Sequence, residues 1–258
     1  MQPSPWAWSP AWPEIAAVLV AAAGYGLSLP HRPGRLHLAA FGGGIVLLLA
    51  VLATPVETLA TEYLLSAHLV QNVVLAEWAP ALLVAGLTPA AAATLARLRA
   101  VALLTRPPVA LALWVAVYVA WHVPAAYDAA LRHPSTILPL EHACYLLAGI
   151  ALWWPVFQSA PWTMSAAAKA GYLFGAFLLA SPIGLALALV GSPIYDFYEA
   201  APRAFELAPL RDQQLAGILM SGAEAIVFFA LFAFFFLRFL AEEDRAQRPD
   251  ARPSAPRG

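Results

Sequence analysis

Long apolar runs, interrupted by proline, glycine or charge, organise the chain near residues 13–29, 36–54, 62–85, 108–122, 137–157, 167–190 and 212–238. At about 1.5 Å per helical residue each run can cross a hydrocarbon core of ~30 Å, 108–122 being the shortest. The pattern predicts an all-α polytopic membrane bundle of seven transmembrane helices spanning 13–240, preceded by an outer segment over 1–12 and followed by a polar, Pro-rich tail over 241–258 expected to be disordered. Pro107 and Pro108 are placed to start the fourth helix, and Pro182 to kink the sixth. The first run follows Trp6, Trp8 and Trp12 with no basic residue ahead of it, which predicts an anchored span and not a cleaved signal.

Composition supports the class and charge supplies an orientation. The chain is 62% hydrophobic and only 11% charged, against about a quarter charged in soluble domains. Alternate loops gather Arg32, Arg35, Arg97, Arg99, Arg106, Lys169, Arg238, Arg245, Arg248, Arg252 and Arg257 on one side and leave Arg132, Arg203 and Arg211 on the other. By the positive-inside rule the N-terminus is then outside and the C-terminus cytoplasmic. The outer loops carry Glu57, Glu62, Asp128, Asp196, Glu199 and Glu206, most simply read as solvated loop charge. No basic patch suggests nucleic acid, and the single cysteine, Cys144, excludes an internal disulfide or a CxxC metal motif.

The informative residues are polar ones inside apolar runs, where an amide or ionisable group must find a partner or serve a purpose. In "HLVQN", His68, Gln71 and Asn72 stack on one helix face at spacings of three and four. His122 ends the fourth run, and Glu141 and His142 lie one turn into the fifth, so three helices bring histidines to the same depth on the outer side. His31 and His37 fall on the cytoplasmic side, and His133 in an outer loop. In the seventh run Gln213, Gly217, Met220 and Glu224 share a face, giving an amide, a gap for close helix approach, a thioether and a carboxylate. Imidazole with thioether suits copper, Cu(I) above all. The expected ligands are His68, His122, His142 and Met220, with Gln71, Asn72, Glu141, Asp212 and Gln213 around them to orient the rings. The alternative is a metal-free cluster of hydrogen-bonded packing groups, in which Glu77 is a neutral carboxyl bonded to a neighbouring helix. No nucleophile–base pair or phosphate loop argues for an enzyme.

Four segments in order, "HLVQNVVLAEWAPALLVAGLTP", "WHVPAAYDAALRHP", "LEHACYLLAGIALWWPV" and "PLRDQQLAGILM", resemble the CtaG-like family of cytochrome c oxidase assembly factors, related to copper-resistance membrane proteins of the CopD type. The resemblance covers residues 60–222 and implies a multi-span protein of the bacterial plasma membrane that helps copper reach the oxidase. Its partners would be oxidase subunits, membrane lipids and a copper-donating chaperone. It points to His68, Gln71, Trp121, His122, Pro124, Glu141, His142, Asp212, Gln213 and Met220. Where the family tends to carry HMxQH, this chain has Leu69 and Asn72. Asn is a poor ligand for a soft ion, so a ligand lost here would weaken copper binding. A copper or proton transporter in which Glu77 and Glu224 extend the path inward, and a metal-free assembly scaffold, are the other functions the residues allow.

Overall fold

The computed structural model describes residues 3–28 and 34–247. Among them the chain is all helical: α1 (Trp12–Ser28), α2 (Arg35–Leu52), α3 (Pro55–Glu62), α4 (Leu65–Val73), α5 (Ala79–Gly86), α6 (Pro89–Leu95), α7 (Arg99–Leu104), α8 (Pro107–Trp121), α9 (Pro124–Arg132), α10 (Ile137–Phe157), α11 (Ala166–Leu189), α12 (Asp196–Ala200) and α13 (Pro209–Gln247). A π-helical turn, Val74–Trp78, joins α4 to α5, so that Leu65–Gly86 is one apolar span.

Five helices among the described residues are long and apolar enough to cross a membrane: α2, the α4–α5 unit, α10, α11 and α13. A sixth is reached if α8 and α9 count as one span broken by a 73° bend. The first predicted run forms α1, a shorter apolar helix of 17 residues. His31 and Arg32 lie outside the described residues, as does the tail from 248 onward.

Local sequence explains these elements. Thr54 accepts from the Val56 N–H at 3.3 Å to cap α3, and Ser165 accepts from Ala168 at 3.2 Å to cap α11. Pro107 starts α8 as expected, where its missing N–H is no loss. Helix α11 runs unbroken through Pro182. Small residues set the closest approaches: a Cβ on Gly149 of α10 would run into the Ala76 carbonyl of the π-helical turn, and one on Gly217 of α13 into the Gly184 carbonyl of α11. These contacts hold α10 and α13 against the α4–α5 unit and α11, with α4 and α10 central.

The connections on the His68 side are not loose loops. Tyr195 stacks on Tyr127 of α9 with ring centres 4.1 Å apart, and α12 lies against α9. Together they roof the ends of α4, α8 and α10.

Candidate functional site

His68 sits one turn into α4 with 0% of its surface exposed, as do Gln71 and Glu141. Its Nδ1 lies 2.8 Å from the Tyr198 hydroxyl, which is 2.5 Å from the Ala60 carbonyl. A phenol has one proton, and a carbonyl can only accept, so Tyr198 donates to Ala60 and accepts from His68 Nδ1–H. Burial pushes the Tyr198 phenol up, keeping it in the neutral form that this relay requires. The lone pair of neutral His68 is therefore on Nε2, which has no hydrogen-bond partner and stands 3.7 Å from Glu141 Oε1.

The other two predicted histidines have the same arrangement. His122 caps the C-terminus of α8, and its Nδ1 is 2.7 Å from the Tyr118 carbonyl, so Nδ1 carries the proton. In α10, Nδ1 of His142 is 3.3 Å from Glu14 Oε1, from α1. Both Nε2 atoms are buried without a partner. A ring N–H engaged by a carbonyl, hydroxyl or carboxylate, with the opposite nitrogen left free, is the tautomer metal-binding histidines use.

The His68 and His142 rings meet edge to face, with centres 6.5 Å apart. His122 joins them through Tyr127, whose ring lies 5.1 Å from His68 and 6.0 Å from His122. Asn72 donates to Glu141 Oε1 at 3.3 Å, while Glu141 Oε2 has no partner. Metal–nitrogen and metal–oxygen bonds are near ~2 Å, so one ion could bridge the 3.7 Å gap between His68 and Glu141. No group of three or more His, Cys, Asp or Glu side chains among the described residues is already drawn together as a metal site. The imidazoles and the Glu141 carboxylate are donors of the kind a borderline cation takes, and the His122 and His142 rings would have to move toward His68 to share one ion.

The remaining predicted residues hold the frame. Asp212, at the start of α13, accepts from the backbone N–H groups of Leu65 at 2.6 Å and Ser66 at 3.1 Å, capping the helix that carries His68. Gln213 accepts from Ile194 N at 2.7 Å and donates to Ser192 O at 3.1 Å, tying α13 to the connection before α12. Gln71 donates to Val51 O at 3.0 Å and to Glu57 Oε2 at 2.5 Å. Met220 is buried on α13.

Several contributors escaped sequence reasoning. Glu57 and Asp128, expected as solvated loop charge, are buried: Glu57 pairs with Gln71, and Asp128 accepts from Phe197 N at 3.2 Å to hold the α12 roof. Burial pushes the Glu57 carboxyl up to about 7, against the opposing pull of His142 and the Gln71 bond. Glu14 lies in the first apolar run, and Tyr127, Tyr195 and Tyr198 lie in predicted outer connections; none carried a metal-site signal. Deeper in the bundle, Glu77 of the π-helical turn and Glu224 of α13 are both fully buried and act on one another electrostatically. The Tyr118 hydroxyl donates to Glu224, while both oxygens of Glu77 lack a partner.

The sequence that builds this helical bundle falls in a known class. The family model described as cytochrome c oxidase caa3 assembly factor matches residues 16–242, and the chain belongs to that family. No curated protein and no solved structure gives a match.

Proposed function

We propose that the chain serves maturation of a cytochrome c oxidase by holding a copper ion as cargo at the Nε2 atoms of His68, His122 and His142, with Glu141 beside them, and releasing it to an oxidase subunit. The observation that carries this reading is the shared tautomer: three buried histidines each commit Nδ1–H to a fixed acceptor and leave Nε2 without a partner. Leaving three such nitrogens unsatisfied is costly in a packed core, whereas a cation would satisfy them together. Imidazole suits Cu(I) and Cu(II). Met220, buried on the same helix as Asp212, is the soft donor available to Cu(I).

Binding draws the His122 and His142 rings toward His68, and the Tyr127–Tyr195 stack and Tyr198 shield the ion from water. A site that must close to bind is also one that can open to release, as a carrier requires. The residues that cap and brace α4, Asp212 above all, position His68 without touching the ion. In this reading the seven apolar helices all span a bacterial plasma membrane, α1 and the α8–α9 unit included, with the N-terminus and the cluster on the outer side. The chain acts without catalytic turnover, and a soluble chaperone presents copper from that side.

The experiment is complementation in cells that lack the native gene. His68→Ala or His122→Ala protein, present at wild-type amounts, should leave the oxidase protein in the membrane with reduced copper content, restored by excess copper in the medium. Full oxidase copper in both variants overturns the proposal.

A further inference from the structure

Buried tyrosines crowd the histidine cluster, and most of their hydroxyls are committed. Tyr118 donates to Glu224, Tyr145 meets His122 Nδ1 at 3.4 Å, Tyr195 donates to His122 O at 3.2 Å and Tyr198 donates to Ala60 O at 2.5 Å. Tyr127 is the exception: it is fully buried, and its hydroxyl has no partner. Its ring is accounted for by packing, stacked on Tyr195 at 4.1 Å and lying 5.1 Å from His68 and 6.0 Å from His122. Packing does not account for the hydroxyl, because an unpaired buried O–H costs free energy that a phenylalanine would avoid.

The complementary group is on Glu141. Its Oε1 takes the Asn72 N–H at 3.3 Å and stands 3.7 Å from His68 Nε2, whereas Oε2 is buried without a donor. The Glu141 carboxyl acts electrostatically on the hydroxyls of Tyr127, Tyr145, Tyr195 and Tyr198, so it stands among them. The cluster thus holds one phenol without an acceptor and one carboxyl oxygen without a donor. Tyr127 also lies between His68 and His122, so drawing those two rings together moves it with them.

Given a copper ion at the three Nε2 atoms, a reading on which this role depends, we propose that Tyr127 is a positioning residue whose hydroxyl donates to Glu141 Oε2 when the site is loaded, holding the carboxylate with Oε1 toward the ion. A carboxylate beside a metal needs such a partner to keep its orientation. The bond forms on loading, so it contributes to copper affinity and not to the stability of the empty chain. Through its stack on Tyr195, which donates to His122 O, Tyr127 ties Glu141 to the roof and to the third histidine.

The test uses the full-length protein in detergent. Cu(I) affinity is measured by competition with a chromophoric chelator, and the empty chain is unfolded thermally. Tyr127→Phe keeps the ring and its stack. Its copper affinity should fall about tenfold, as for loss of a group that orients a ligand. The unfolding midpoint of the empty variant should stay at or above that of the wild type, because an unpaired hydroxyl has been removed. In a Glu141→Gln background the acceptor is neutral and the bond weaker, so the same substitution should cost less affinity there. If the wild type binds Cu(I) and Tyr127→Phe binds it equally tightly, the role of Tyr127 is overturned and the copper reading stands; if the wild type binds none, both fall. A lowered midpoint in empty Tyr127→Phe would show a hydroxyl already bonded before loading, and an equal affinity loss in both backgrounds would show one that does not act through Glu141. Either result overturns the proposal.

Discussion

Replacing Asp212 by alanine isolates the device that places His68. The carboxylate is buried, with 3% of the residue exposed, and accepts two backbone N–H bonds at the start of α4, at 2.6 and 3.1 Å. Hydrogen bonds to a charged acceptor contribute about 1.5–3 kcal/mol each, and loss of a helix N-cap costs about 0.5–2 kcal/mol. These figures describe overlapping interactions, so they are not summed; a loss of about 3 kcal/mol is expected for Asp212→Ala. Asp212→Asn keeps one side-chain acceptor and should lose about 1 kcal/mol. Reversible unfolding in mixed micelles, followed by tryptophan fluorescence, measures both. Copper bound per folded molecule should be unchanged at saturating copper, because Asp212 braces the helix and is not a ligand. Equal stability of Asp212→Ala and wild type, within about 0.5 kcal/mol, would refute the capping role. Loss of copper from a fully folded variant would refute the division between frame and ligand.

Further perturbations separate the other roles. Gly149→Ala forces a Cβ into the Ala76 carbonyl and should destabilise by about 1–3 kcal/mol, read by the same unfolding measurement; no loss would mean α10 and the π-helical turn are not in close contact. Glu57 has a folded pKa of about 7 against an ordinary 4.5. The folded state thus holds the proton more tightly, so this group's contribution is full below pH 4.5 and is lost as pH rises to 7. Glu57→Gln should flatten stability across that window, and an unchanged pH profile would contradict the assignment. Asn72→His places an imidazole one turn below His68, beside Glu141, and should tighten copper binding in a detergent titration; unchanged affinity would show that position 72 does not reach the ion.

The parts of the site legible in the sequence were those where polarity conflicted with a membrane run. His68, Gln71, Asn72, Glu141 and His142 stood out because lipid cannot satisfy them, and their burial follows from the same physics. The helical segments were legible because hydrophobic length is set by membrane thickness. What could not be read was whatever folds back from the connections. Tyr195 and Tyr198 sit where a solvated loop was expected, and only the packing of α12 on α9 turns them into a roof and a tautomer lock. Glu57 looks like surface charge until Gln71 is placed opposite it. Glu14 carries no pattern of its own, since its role exists only when α1 lies beside α10. Asp212 and Gln213 were expected to orient the histidine rings, yet the contacts they make are to backbone, and residue type alone does not separate a helix cap from a partner of a ligand.

The most direct measurement is the copper content of purified protein after equilibration with Cu(I), compared with His68→Ala checked for folding by the unfolding assay above. One copper per wild-type chain, and at least a tenfold loss of affinity in the folded variant, is the expected result. Equal copper in both proteins, or none in the wild type, would contradict copper binding at His68 and leave its ring as a packing group held by Tyr198.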